Sequence, residues 1–416
     1  MSLRVLFIVP YIPSLIRVRP YQFIRTLSNK GIKIILASII TTSEDQRLVE
    51  ELKPYLEELI TIEFPSYNSY IHCMAGVAGT RPLQSLFSWS TKLAGKIEQR
   101  ISDCAGDKKI DLIHFEHIRG GRYGEFLFSQ MSRQRIPWTP LVWDSVDSIS
   151  SLFRQSAGMA PSLQTRLISR FELERTRTYE RKLTKFVDRV LVTSDRDKDA
   201  FVKIESDFEH KITVVPNGVD LNYFTPGEAE GRIPGTILIS GKMSYHANAR
   251  MVYHFVNEIF PLILEGFPDA KLWIVGKDPN STIQAYANDP RITVTGQVPD
   301  MRPYLQKASV AVAPVVYGTG IQNKVLEAMA CSTPVVTTPA AGVSIHGENG
   351  VDYFVAETPE DFANDVVCLL NNESKRLAMG AAGRRFVEKR HDWDLICDEL
   401  AQKYREIVNV FYHFTS

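Results

Sequence analysis

Only five cysteines occur in the 416 residues, Cys73, Cys104, Cys331, Cys368 and Cys397, and no two stand at a Cys-x-x-Cys spacing. That argues against a disulfide scaffold and a zinc knuckle, and reads as reduced thiols of a cytosolic protein. Excess charge is missing too. Lys plus Arg and Asp plus Glu both number 48, which argues against a dedicated nucleic-acid binder. No apolar run reaches the length of a membrane span. The stretch Leu3 to Tyr11 is apolar but short, runs into Pro10 and Pro13, and lacks a signal-peptide layout, so it reads as a buried first strand. Peripheral contact with the inner face of a membrane stays open.

What is present is the material of two α/β domains. The length exceeds one ordinary core. Short β-branched runs alternate with helical stretches. Strands are expected at Arg4–Pro10, Lys33–Ser38, Leu112–Phe115, Leu141–Asp144 and Val190–Ser194, then at Thr236–Ser240, Leu272–Val275, Ile292–Thr295, Val310–Ala313, Val335–Thr338 and Tyr353–Val355. Continuous apolar strands between helices predict parallel sheets covered on both faces. Val252, Phe255, Val256, Ile259 and Ile263 repeat at a helical period, and Thr358-Pro359-Glu360-Asp361 has the chemistry of a helix start. The turn-like Pro216-Asn217-Gly218-Val219-Asp220 marks a boundary, giving domains over 1–215 and 216–391 and a final helical segment over 392–416. The stretch Tyr67 to Ser90 reads as irregular and aromatic, either a functional loop or a surface excursion.

The segment Tyr317-Gly318-Thr319-Gly320-Ile321-Gln322-Asn323-Lys324-Val325-Leu326-Glu327 carries the most chemistry. It follows a buried strand and opens a helix. A Gly-rich turn there offers free backbone N–H groups at the positive helix end, an anion site suited to a diphosphate. Lys324 adds a point charge. Glu327, three residues on and near the same face, suits two ribose hydroxyls. A tight turn with a surface ion pair is the plain alternative. Gly241-Lys242, Gly276-Lys277 and Gly296-Gln297-Val298 each follow a predicted strand, at the carboxyl end where open α/β sheets bind ligands. Together they suggest a lined crevice. In the first half, Arg17 and Arg19 follow the first strand. His114, Glu116, His117 and Arg119 lie at or after the third, and Asp144 and Asp147 end the fourth. Arg17 and Arg19 could meet phosphate or an acidic acceptor, or simply be solvated; His114, Glu116, His117 and Arg119 could line an acceptor pocket; Asp144 and Asp147 are further cleft candidates, one of which could instead cap the next helix. Asp195-Arg196-Asp197 and Asp392-Trp393-Asp394 read as helix starts.

The second half resembles the retaining GT-B glycosyltransferases of family 4, the glycosyl transferases group 1. The matching pieces are Val214-Val215-Pro216-Asn217-Gly218-Val219-Asp220, Gly241-Lys242-Met243, Trp273-Ile274-Val275-Gly276, Val294-Thr295-Gly296 and Leu326-Glu327-Ala328-Met329-Ala330-Cys331-Ser332-Thr333-Pro334-Val335-Val336. The first half resembles them more weakly, through Pro10, Arg17 to Tyr21, Asp144, Asp147 and Val192-Thr193-Ser194. The resemblance implies two Rossmann-like domains facing a cleft. The donor, a UDP-sugar such as UDP-glucose, would lie on the second domain, and the final helix would return to the first. It also implies retention of anomeric configuration without cofactor or metal, on a glycan, lipid-linked or other hydroxyl acceptor in surface-glycan or polysaccharide assembly.

Within that resemblance Lys324, Lys242 and Asp147 are the expected catalytic residues. The nucleotide would meet Gly241, Lys242, Gly276, Lys277, Gln297, Val298, Thr319, Gly320, Ile321, Gln322, Asn323, Lys324 and Glu327. One departure stands out: where the family pattern has two Glu separated by seven residues, this chain has Thr319 in place of the first and Glu327 as the second. Two alternatives keep their place, a nucleotide-sugar 2-epimerase type of isomerase and a catalytically silent nucleotide-sugar binder.

Overall fold

The computed structural model describes residues 2–103, 108–159, 163–228, 231–316 and 321–415. The chain divides into two compact units, Met1–Pro216 with Trp393–Ser416, and Asn217–Asp392. In the first, a seven-stranded sheet runs β3-β2-β1-β4-β5-β6-β7, with β1 at Arg4–Ile8, β2 Lys33–Ile40, β3 Glu58–Glu63, β4 Leu112–Glu116, β5 Leu141–Val146, β6 Arg189–Val192 and β7 Ile212–Val214. In the second, a six-stranded sheet runs β10-β9-β8-β11-β12-β13, with β8 at Ile233–Ser240, β9 Lys271–Val275, β10 Ile292–Gly296, β11 Ala308–Ala313, β12 Val335–Thr337 and β13 Phe354–Val355. The paired strands are parallel throughout. The fold class is therefore the expected one.

The physical reason is visible in the central strands. β1 (Arg-Val-Leu-Phe-Ile) and β11 (Ala-Ser-Val-Ala-Val-Ala) are buried at every position, so each needs a helix on both faces, and a parallel crossover supplies it. Leu6 and Ile8 enter one core of the first unit, and Val5 and Phe7 the other. The last helix, Trp393–Thr415, completes that second core with Trp393, Ile396, Leu400 and Tyr404. Thr358 caps its helix by accepting from the Asp361 N–H at 3.1 Å, with Pro359 in the first turn, as its sequence predicts.

Two expectations need correction. Residues 67–90 are not irregular: they hold the helices Ser66–Gly76 and Leu83–Phe87. The apolar residues Tyr67, Tyr70, Ile71 and Met74 face outward, so no inward apolar period betrays the first of them. The strand β3 also goes unforeseen. It is an edge strand with glutamate at each end, and only Ile60 is buried.

Candidate functional site

Both sheets reverse strand order once, between β1 and β4 in the first unit and between β8 and β11 in the second. The crevice beyond the carboxyl ends of such a strand pair is where open α/β sheets hold ligands.

At the β8/β11 reversal, Gly241 follows β8 and the helix Asn323–Ala330 follows β11. Gln322 precedes that helix without a side-chain cap; the Val325 N–H donates to the Gln322 carbonyl at 2.9 Å, which leaves the N–H groups of Asn323 and Lys324 for another acceptor. Ile321 anchors the entry in the core. Lys324 and Glu327 are both half-buried. The Lys324 ammonium reaches Asn248 Oδ1 at 2.9 Å and Gln322 Oε1 at 3.3 Å. Burial pulls it down to about 8 against the opposing effect of Glu327. Burial likewise pushes the Glu327 carboxyl up to about 7, with Lys324 resisting. A dianion arriving beside Lys324 would reverse the first shift. Asn323 accepts from the Asn217 amide at 3.4 Å. Thr319 and Gly320, and the neighbouring Tyr317 and Gly318, lie outside the described residues.

The glycine-ended strands have a packing reason beyond ligand access. Gly241 N–H donates to the Val275 carbonyl and Gly276 N–H to the Gly296 carbonyl, at 3.1 and 3.0 Å. A Cβ on Gly276 would lie 1.8 Å from the Gly241 carbonyl oxygen, and the two residues hold φ of 153° and 149°. Only glycine permits that approach. Lys242, Lys277 and Gln297 beside them are exposed, while Val298 packs against the core.

At the β1/β4 reversal, Tyr11 and Arg17 follow β1, and Glu116 and His117 end β4 and open the helix His117–Ser132. Arg17 is exposed and stacks over the Tyr11 ring at 4.5 Å. Glu116 is buried. Its Oε2 has no hydrogen-bond partner, and burial with the neighbouring Asp144 raises it to about 8, against the Tyr11 hydroxyl and two arginines. His117 takes a left-handed φ of 57°, and its buried Nδ1 and the buried Nε of Arg119 are likewise unpartnered. Three unsatisfied polar groups within four residues at a strand end are unusual in a folded interior and suit hydroxyl-bearing ligands. Positive φ at His117, a β-to-helix corner in a non-glycine residue, has no signature in the sequence.

The remaining candidates are bound up within the protein. Arg19 and Asp144 are buried and pair with each other, Nε to Oδ2 at 2.7 Å. His114, stacked on Phe7, accepts from or donates to the Tyr404 hydroxyl through Nδ1 at 2.6 Å. Asp147 accepts from Thr193 Oγ1 at 3.2 Å, and burial beside Asp197 raises it to about 7. Neither aspartate caps the helix Ile149–Met159: Ser148 Oγ takes the Ser151 N–H and Glu180 takes the Ser150 N–H. Asp197 in turn accepts from the Ser148 N–H at 3.0 Å.

The state of Glu116 predicts a pH effect. Its folded value lies above the ordinary 4.5, so the folded chain keeps a proton that the unfolded chain releases. Its contribution to stability is therefore full below about 4.5 and is lost as pH rises to about 8. Glu116→Gln cannot ionise, so denaturant midpoints at pH 5 and pH 8 should differ less in the variant than in the parent. Equal differences would mean Glu116 is ionised in the folded chain.

Residues 234–372 match the model of the glycosyl transferases group 1. A GDP-mannose-dependent monoacylated alpha-(1-6)-phosphatidylinositol monomannoside mannosyltransferase of Corynebacterium glutamicum is 28% identical over 46% of this chain and 55% of its own length. A phosphatidyl-myo-inositol mannosyltransferase of Mycobacterium leprae is 27% identical over 46% and 53%. The chain thus spans about half the length of these relatives. A D-inositol 3-phosphate glycosyltransferase of Corynebacterium jeikeium is 23% identical over 81% of each chain. Among solved structures, sucrose-phosphate synthase of Thermosynechococcus elongatus superposes with a TM-score of 0.69 at 17% identity, covering 98% of this chain and 100% of that one. Anabaena HepE, solved with UDP and glucose, superposes with a TM-score of 0.66 at 15% identity over 97% and 100%. At these identities the likeness is one of fold, and the fold is GT-B.

Proposed function

We propose, from the match of residues 234–372 to the glycosyl transferases group 1, that the chain moves a sugar, with retention, from a nucleoside-diphosphate sugar to a hydroxyl of a glycan or lipid-linked acceptor. The observation that carries this reading is the pairing of Lys324 and Glu327 on one uncapped helix start at the β8/β11 reversal. A cation and free N–H groups suit a diphosphate, and a carboxylate one turn away suits a ribose. Charge builds on the diphosphate as the glycosidic bond breaks, and Lys324 stabilises it there. The partly satisfied groups Glu116 and His117 at the β1/β4 reversal are our candidates for receiving the acceptor's hydroxyls. These roles need no metal ion.

We take a UDP-sugar such as UDP-glucose as the first donor to test. GDP-mannose is the second, because a relative bears a GDP-mannose-dependent name. The deciding experiment is a thermal-shift panel of UDP- and GDP-sugars, since a ligand of the folded state alone raises its stability. It is followed by transfer assays with the stabilising donor in EDTA. Stabilisation and EDTA-resistant transfer are expected. Interconversion of free sugar nucleotide without acceptor would favour an isomerase, and loss of transfer in EDTA restored by manganese would overturn the metal-free part.

The acceptor side bears on the membrane. Among the described residues no helix is long and apolar enough to cross one. The helix Ser66–Gly76 nevertheless exposes Tyr67, Tyr70, Ile71 and Met74, and Val77 after it, within a stretch from Phe64 to Thr80 that has no Lys, Arg, Asp or Glu. A groove of about 680 Å³ along its flank is lined by Glu63, Lys92 and Arg122, and one of about 380 Å³ at its end by Arg81 and Lys182, which share Glu125 as their partner, so the flanks carry a net positive charge. An apolar helix with cationic flanks suits an anionic lipid surface, and two copies of it would set cation against cation. The full chain should sediment with vesicles of phosphatidylcholine and phosphatidylglycerol, and less with phosphatidylcholine alone. Ile71→Glu with Met74→Glu should abolish the difference; equal sedimentation of parent and variant would remove this face from the membrane.

A further inference from the structure

The helix His246–His254 follows the β8 turn, and Asn248 in its first turn ties together the two sides of the β8/β11 reversal. Its Nδ2 donates to the Lys242 carbonyl at 3.0 Å, and its Oδ1 accepts from Lys324 Nζ at 2.9 Å. Its backbone N–H is held by the Tyr245 carbonyl at 2.9 Å. The side chain can lie there only because residue 241 is glycine: a Cβ would stand 2.9 Å from Asn248 Nδ2. The amide orientation follows from these two partners, one a carbonyl that must receive a donor and the other an ammonium that must find an acceptor.

What makes the arrangement informative is the kind of acceptor. A half-buried ammonium without a ligand needs its N–H groups satisfied, and a carboxylate would do so while cancelling its charge. Lys324 is instead met by two amide oxygens, from Asn248 and Gln322. Amides satisfy hydrogen bonds and leave the net charge in place. Glu327, the nearest opposing acid in sequence, acts on Lys324 only through space, for the ammonium's hydrogen bonds go to the two amides.

We propose that Asn248 is a positioning residue that holds Lys324 extended and charged at the β8/β11 reversal, ready for the donor's diphosphate. This rests on the reading that Lys324 meets that diphosphate. Neutrality, rather than shape, is the property selected at position 248. The isosteric Asn248→Asp should therefore be worse than the truncation Asn248→Ala, the reverse of what packing alone dictates. The aspartate would form an ion pair with Lys324 and set a negative charge against the incoming phosphates, a like-charge juxtaposition that weakens their binding in a partly desolvated site.

The test is calorimetric titration of inorganic pyrophosphate and of UDP into the full chain, the parent beside Asn248→Ala, Asn248→Asp and Lys324→Ala, each variant's thermal unfolding being recorded as a check on its fold. Expected is a loss of affinity of a few-fold for Asn248→Ala and at least about tenfold more for Asn248→Asp. If Lys324→Ala weakens pyrophosphate but Asn248→Asp binds as well as Asn248→Ala, the positioning role is overturned and the donor site stands. If Lys324→Ala binds pyrophosphate like the parent, the donor-site reading fails, and this inference with it. Should the aspartate variant not fold, Asn248→Ala binding at the parent's affinity overturns the role on its own.

Discussion

Lys324→Ala should lower turnover by about 10²–10³-fold, the usual cost of deleting one preorganised donor to a developing negative charge, while binding of the nucleoside changes far less. The asymmetry follows from what each group would meet. The Lys324 ammonium would face a leaving group whose charge grows only as the glycosidic bond breaks, so its contribution falls mainly on the transition state. Glu327 would accept from a ribose that is the same before and after transfer, so Glu327→Gln should weaken nucleotide binding about tenfold, within the range for a hydrogen bond to a charged group, and leave turnover at saturation close to the parent's. The two residues thus separate the two kinetic constants, although they sit on adjacent turns of one eight-residue helix. Transfer rates and UDP affinity measured on both variants decide it. Parent turnover in Lys324→Ala would place the phosphate elsewhere, and unchanged UDP affinity in Glu327→Gln would remove that carboxylate from the nucleotide.

The elements legible in the sequence are those whose burial writes a pattern. The strands β1, β8, β9 and β11 are continuous apolar runs because both their faces are covered, and the helix after β11 is announced by its glycines and by the spacing of Lys324 and Glu327. Where burial and apolarity part company the pattern fails. The helix Ser66–Gly76 buries Ser69 and exposes Tyr70, the reverse of an inward apolar stripe. The long helix Leu163–Phe186 buries Glu172, Thr176 and Glu180, polar side chains that read from sequence as a solvated face. Sites show the same limit. Gly241 and Gly276 read as ligand-lining residues, but strand-end packing already demands them. Asn248 gives no signal at all, since its role depends on an ammonium 76 residues away. The sequence also offers no way to tell an exposed cation from one with a buried partner, and Arg17 and Arg19, two residues apart, are one of each kind.

Breaking that buried partnership should cost more stability than any other single change considered. Arg19 lies against Asp144 in a two-pronged contact, Nε to Oδ2 at 2.7 Å and Nη2 to Oδ1 at 3.2 Å, with side chains 5% and 1% exposed. The guanidinium also donates from Nη1 to the Val215 carbonyl at 2.9 Å and stacks over Phe23 at 4.6 Å. Asp144 accepts from the Val146 N–H at 3.3 Å. Nearby His114 is held down to about 4 by burial, so it is neutral and cannot substitute for the arginine. Removing either partner leaves an uncompensated charge among β1, β4 and β5, and such losses run to about 3–5 kcal/mol. Asp144→Ala and Arg19→Ala should therefore each lower the denaturant midpoint of the first unit strongly. Replacing both together by apolar residues of similar volume, Arg19→Met with Asp144→Leu, should recover much of the loss, because the penalty belongs to the orphaned charge rather than to the missing attraction. Equilibrium denaturation of the two single variants and the double variant measures this directly. Single-variant losses below about 1 kcal/mol, the range of exposed pairs, would mean that water reaches Arg19 and that its charge remains available to a ligand after all.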